Sequence, residues 1–483
     1  MLKASEPCSL ILFGASGHLA RIKIYPALYV LALKKRLPDH FALIGFARTP
    51  MSDQEFRSII ERAIRDDMPE VNDTTLSTFL SHCHYHTGQY DDQQSFVALS
   101  KKLDTLEGER RTKTVRLAYL SIPPSAFEST LHNLCAGNVH EQGLPFRAII
   151  EKPVGSDLRS FEALEKTLLR CFRSDEIYIL DHYLGKEAVR NAYYLRHANP
   201  VIERLMKNTL ISNVQITALE TAGLEGRAGY FDAVGTLRDM VQSHLLEIAA
   251  LLTMRLVGDA SDIRAARLDA MQKFFLPHSS HLSDIVLQGQ YAKGSINGKD
   301  VPGYTEEKDV DPASRTATFI AMRLQTRAPH FDGVPFFLRS GKRLKEKRTR
   351  IAIEFHDSPP LVGKNEAKNR LEIILQGEAG MKLTLMTKLG GSDPKFRPLI
   401  LEDPLVCIGD CLAEHGLLLL EAINGNQTWF LSPDEVRASW RLIDPVQAYL
   451  DEPATELHQY EAGSAGIAPA NAFIEQFGHS WHA

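Results

Sequence analysis

The chain has 483 residues, 44% of them apolar and 24% charged, more than one hydrophobic core usually organises, so two domains are expected. A formal net charge of -5 offers no basic surface for polynucleotides or anionic membranes, and neither is expected as a partner. The N-terminal apolar run is too short for a secretory signal, no stretch approaches the roughly 20 apolar residues of a bilayer span, and six cysteines without CxxC spacing read as reduced thiols of a cytoplasmic protein.

In chain order, the runs SLILF, FALIGFAR, TVRLAYLSIP, FRAIIEKP and IYILDHY alternate with helical patterns at Ala27 to Lys35, Ser52 to Ile64 and Ser160 to Arg170. Repeated β-α units of this kind predict a Rossmann-like, doubly wound, mostly parallel sheet. Beyond about residue 210 the rhythm changes to consecutive β-rich runs, LISNVQITALE, ATFIAMRLQT, RTRIAIEFH, LEIILQ and MKLTLMTK, which favour a mainly antiparallel α+β domain. The boundary is placed near residue 185, giving domains 1–185 and 186–483.

The first motif is GASGHLA at 14–20, directly after the first strand. Gly14 permits the turn, Gly17 permits backbone approach by a pyrophosphate, and Ala20 permits close helix packing; Ser16 and Leu19 complete the cofactor turn. His18 is the odd residue in it. Arg48 ends the second strand, where a carboxylate would hold an NAD ribose and a guanidinium suits the 2′-phosphate of NADP. The bland alternative for Arg48 is a solvated loop charge.

Lys152, in EKPVG, follows a strand on the carboxyl edge of the sheet, where ligands bind in open α/β folds. Asp181, His182, Tyr183 and Lys186 then crowd carboxylate, imidazole, phenol and ammonium into six residues, a mixture suited to a phosphate pocket or, more plainly, to a capped helix start. Farther on, Met240, Val241, His244, Leu245 and Ile248 share one helical face, so His244 reads first as a buried core histidine, although histidine is also the side chain best suited to take a hydroxyl proton near neutral pH. The run Arg339 to Arg348 concentrates positive charge around a glycine and suits a dianionic phosphate. His82-Cys83-His84-Tyr85-His86, and Cys407 with Cys411 and His415, lack zinc-site spacing, and no metal is expected.

Together, GASGHLARIKIYPALY, GFART, YLSIPPSAF, EKPVGSD, DHYLGKE, ETAGLEGRAGYFDAVGTLRDMVQSHLL, RSGKRLKEK and NGNQTWF resemble the glucose-6-phosphate dehydrogenase family from Leu10 to the Tyr460 to Ser464 tail. The resemblance implies an NADP-binding domain followed by a β+α domain for substrate binding and oligomerisation, a homodimer or homotetramer, and oxidation of glucose 6-phosphate to 6-phosphogluconolactone. It implies His244 as general base, oriented by Asp181. It implies Lys152, His182, Tyr183, Lys186, Glu220, Asp239, Lys342 and Lys347 on the substrate, with Lys152 also touching the coenzyme. Three positions depart from the family pattern: His18 for aspartate, Ile179 for arginine and Gly377 for proline. The competing expectations are a noncatalytic NADP-binding regulator on the same scaffold and a dehydrogenase of another hexose 6-phosphate.

Overall fold

The computed structural model describes residues 4, 6–279, 281–357, 368–376, 379–392, 395–405, 407, 409 and 411–482. The chain forms two compact units, residues 1–186 with 409–437, and residues 187–408 with 438–483.

The first unit is built on six parallel strands, β1 (Cys8–Phe13), β2 (Phe41–Ala47), β3 (Cys83–Thr87), β4 (Val115–Leu120), β5 (Phe146–Glu151) and β6 (Ile177–Leu180), in the order β3-β2-β1-β4-β5-β6. This is the doubly wound order, whose switch point lies between β1 and β4. Every residue of β1, β2 and β4 is buried, as expected for a parallel sheet covered on both faces. Helix Asp53–Asp67 starts with a capping box between Ser52 and Glu55, and Leu158–Cys171 with one between Asp157 and Ser160, so both starts are fixed by local side chains.

A single boundary near 185 follows chain order, whereas the compact unit also includes 409–437. That segment returns through long-range contacts that no local pattern announces. Arg147 Nη1 donates to Ala422 O at 2.9 Å, Gln427 Nε2 to Ile177 O at 2.9 Å, and the Leu431 amide to Ile179 O at 2.9 Å. Phe430 packs edge-on against Tyr178, with ring centroids 4.9 Å apart.

The strands of the second unit are β7 (Ile211–Leu219), β8 (Phe274–Phe275), β9 (Val286–Ala292), β10 (Gly294–Ile296), β11 (Lys299–Val301), β12 (Phe319–Thr326), β13 (Phe336–Gly341), β14 (Arg348–Phe355), β15 (Arg370–Gln376), β16 (Gly380–Lys388), β17 (Phe396–Pro404) and β18 (His458–Glu461). β10 and β11 form a hairpin; the rest make a ten-stranded sheet ordered β17-β16-β15-β14-β7-β13-β12-β9-β18, with β8 on β12. All its pairings are antiparallel except β7 with β13 and β9 with β18, in line with the expected α+β domain.

Cys8, Cys83, Cys135 and Cys171 are free, but Cys407 and Cys411 are disulfide-bonded, which corrects the expectation of six reduced thiols. The compartment argument behind that expectation is a general tendency and does not see local proximity of sulfurs. No helix among the described residues is long and apolar enough to cross a membrane.

Candidate active site

The GASGHLA turn leaves β1 at the switch point. Gly14 has φ +80°, and a Cβ there would lie 1.9 Å from Ser121 O, so only glycine fits. The Gly17 amide closes the turn on Gly14 O at 2.8 Å, and the Tyr25 hydroxyl holds Ala15 O at 2.5 Å from the following helix. Ala20 is fully buried, while Ser16 and Leu19 are half-buried at the mouth and His18 is exposed. Amides at a helix start beside a strand end bind anions, the chemistry a pyrophosphate requires.

Arg48 follows β2 and is exposed, with its guanidinium 5.7 Å from the centre of the Tyr90 ring. Burial raises the Tyr90 phenol above its ordinary pKa, and Arg48 and the Gly14 backbone oppose that rise. Tyr90 therefore belongs beside the cofactor turn, and the sequence reading missed it. It follows β3, a strand whose polar residues hid it.

Lys152 and Asp181 meet at the carboxyl ends of β5 and β6, with Lys152 Nζ donating to Asp181 Oδ2 at 2.9 Å. Asp181 is fully buried, and its Oδ1 accepts from the Tyr183 amide at 2.9 Å, capping the short turn His182–Gly185. Lys186 folds back with Nζ 3.7 Å from the centre of the Tyr183 ring, and the Tyr183 ring lies 5.0 Å from that of His182. The five residues thus gather at one sheet edge within the first unit. Ile179 lies inside β6, where its carbonyl takes the Leu431 amide.

In the second unit the parallel ends of β7 and β13 bring Glu220 and Lys342 together, with Lys342 Nζ donating to Glu220 Oε2 at 2.6 Å. The Lys342 side chain is only 6% exposed, so the Glu220 carboxylate is its offset against desolvation. Asp239 and His244 share a π-helical segment, Leu237–Leu245, a geometry often found at functional sites. His244 is 5% exposed and Asp239 half-buried. Instead of one apolar face, everything from Met240 to Met254 is buried. The reason is that its polar residues find distant partners: Gln242 Nε2 donates to Ser439 Oγ at 2.8 Å, and Glu247 lies 3.4 Å from Arg267.

The Arg339 to Arg348 run is mostly consumed by structure rather than clamping a phosphate. Arg339 is buried against Thr217 and the carbonyl of His482, and burial lowers its pKa to about 10. Arg343 pairs with Glu307 at 3.0 Å, and Arg348 with Glu346 at 2.7 Å. Lys342 is buried, and the exposed cations of the run are Lys345 and Lys347. The imidazoles of 82–86 also part company. His82 meets Phe41 O, His84 meets Asp53 and His86 meets Ser95 O, at 2.9, 3.0 and 3.1 Å. Gly377 lies outside the described residues.

Residues 11–191 match the family description "Glucose-6-phosphate dehydrogenase, NAD binding domain", and residues 193–482 match its "C-terminal domain". The chain belongs to the glucose-6-phosphate dehydrogenase family. Glucose-6-phosphate 1-dehydrogenase of Chlamydia pneumoniae is 36% identical, over 99% of this chain and 96% of that protein. The Bacillus subtilis enzyme of that name is 33% identical over 98% and 97%. A solved glucose-6-phosphate dehydrogenase in complex with its substrate glucose-6-phosphate superposes with a TM-score of 0.90 at 29% identity, covering all of both chains. The family's two domain matches meet at residues 191 and 193, within helix Glu187–Ala198.

Proposed function

We propose that this member of the family oxidises glucose 6-phosphate at C1 to 6-phosphogluconolactone with NADP, and that the residues gathered above do the work. The observation that carries the reading is the family match over both domains, 11–191 and 193–482, together with a full-length likeness to an enzyme solved with that substrate. The donor set of the first unit fits the coenzyme: a glycine turn at a helix start for the pyrophosphate, and Arg48 beside Tyr90 for the 2′-phosphate end. When bound, NADP accepts the hydride leaving C1.

In this reading His244 Nε2 or Nδ1 takes the C1 hydroxyl proton, and the buried carboxylate of Asp181 fixes the imidazole and stabilises its cation. His182, Tyr183 and Lys186 supply N–H, O–H and ammonium donors to the phosphate, with Lys347 as a further cation. Glu220 and Asp239 accept hydrogen bonds from sugar hydroxyls. Lys342 holds and aims the Glu220 carboxylate, and Lys152 does the same for Asp181. Positioning and one base suffice for the proton side of hydride transfer.

The cytoplasm is the proposed compartment. The proposed assembly is a homodimer or homotetramer, supported by the sheet edge at β17, where Leu399, Ile400 and Leu401 are exposed. An apolar edge strand of this kind suits a second copy, and a monomer in sedimentation equilibrium would remove that part of the reading. A noncatalytic regulator would have no chemical need for His244, Asp181, His182 and Lys186 together. NADPH absorbance with glucose 6-phosphate, galactose 6-phosphate and free glucose decides among the readings. The expected result is turnover with the first alone, and no turnover with any of the three would leave the regulator.

A further inference from the structure

The phosphate-site residue His182 has a second histidine behind it, on the segment that returns to the first unit. His415, in helix Glu414–Ile423, has a side chain only 7% exposed. Its Nε2 lies 3.7 Å from Glu151 Oε1, and its Nδ1 lies 3.7 Å from Glu414 Oε1. Its ring is nearly parallel to that of His182, 13° between planes and 6.3 Å between centroids. Glu151 is the last residue of β5, covalently next to Lys152, and it also accepts the Tyr119 hydroxyl at 2.5 Å. Glu414 is also held by Lys23 at 3.3 Å.

At 3.7 Å neither contact is a direct hydrogen bond, and Nδ1 is buried without a hydrogen-bond partner, so the two carboxylates act on the ring through charge: one on either side, at ion-pair distance, they favour the imidazolium over the neutral ring. Burial opposes that charge and is the largest single influence on it, yet Glu151 and Glu414 together raise His415 above the ordinary histidine value. Reciprocally, the contact with His415 is the first cause holding Glu414 well below the usual carboxylate range. The groups facing His415 are Tyr119 and Glu151 from the sheet and His182 from the loop after β6. Glu414 faces it from its own helix, and Lys23 reaches Glu414 from the π-helical segment Ala20–Ile24 that leads into helix Tyr25–Leu33.

We propose that His415 is a positioning residue of the sugar-phosphate site: clasped between Glu151 and Glu414 as an imidazolium, it fixes the end of β5 and the face of His182. From one layer behind the phosphate ligands it adds positive charge to the site. This rests on the reading of Lys152, His182 and Lys186 as substrate residues. The charged form of His415 is present below its pKa and is lost as pH climbs through it, so affinity for the sugar phosphate falls on an alkaline limb above about pH 6.5, the ordinary histidine value.

The test is KM and kcat for glucose 6-phosphate from about pH 7 to 9.5, with substrate binding also measured by intrinsic fluorescence without coenzyme, for wild type, His415→Gln, His415→Phe and Glu414→Gln. Losing one carboxylate in Glu414→Gln shifts the limb to lower pH. The two His415 variants flatten it and raise KM about tenfold at neutral pH, with kcat within about twofold. Glu414 stands partly exposed at a helix start, so its variant carries the test if His415→Phe does not fold. A limb and KM unmoved in Glu414→Gln and His415→Gln overturn the proposal while leaving the activity standing. A wild type inert toward glucose 6-phosphate overturns the functional reading and takes the proposal with it.

Discussion

Replacing His244 with asparagine lowers turnover at least about 100-fold and leaves KM for glucose 6-phosphate nearly unchanged, the low end of what general base catalysis contributes. Asparagine keeps a polar group of similar reach, but its amide does not take a proton near neutral pH, so the loss falls on the step in which the C1 hydroxyl is deprotonated. The competing role is packing: His244 is 5% exposed in a helix whose residues 240–254 are all buried. That role predicts a different pattern. A core histidine lost to asparagine lowers the melting temperature and spares kcat, whereas a base lost in the same way spares the melting temperature far more than it spares kcat. Measuring both on one preparation separates them, and near-normal turnover returns His244 to the core.

What could be read from the sequence follows from which signals are local. The strands SLILF, FALIGFAR and TVRLAYLSIP are apolar runs buried on both faces, so β1, β2 and β4 stood out, and their spacing carried the doubly wound fold. β3 did not stand out, because Cys83-His84-Tyr85-His86-Thr87 reads as chemistry. His84, Tyr85 and His86 instead have structural partners, among them Asp53, whose carboxylate takes the Tyr85 amide at 2.8 Å. The same physics acts at Arg339 and Arg343, two cations of a run that looked like a clamp: the first is buried and the second is paired with Glu307. The motifs DHYLGKE and RDMVQSHL were visible because adjacent residues carry them. The return of 409–437, and with it His415, was not, because its carbonyl and amide partners lie some 250 residues away, as for Gln427 and Ile177.

Arg48→Ala weakens NADP by about 1.5 to 3 kcal/mol, the range of a hydrogen bond to a charged group, and barely affects NAD. The position supports the specificity of that loss. Arg48 is exposed immediately after β2, at the strand end where a dinucleotide fold reads the adenosine ribose, and its guanidinium lies over Tyr90 rather than in an ion pair with a carboxylate. A guanidinium placed so has its planar fork free for a phosphate, and NAD offers no phosphate at that point. Because the side chain is solvated, salt screens the contact, and the difference between the two coenzymes shrinks as ionic strength rises. Arg48→Lys keeps the charge but loses the bidentate fork, so its NADP affinity falls between wild type and alanine. Fluorescence titration of both coenzymes at two salt concentrations reads all of this. Equal losses for NADP and NAD in Arg48→Ala place the arginine outside the 2′-phosphate pocket, and a lysine variant as weak as alanine shows that geometry, not charge, holds the phosphate.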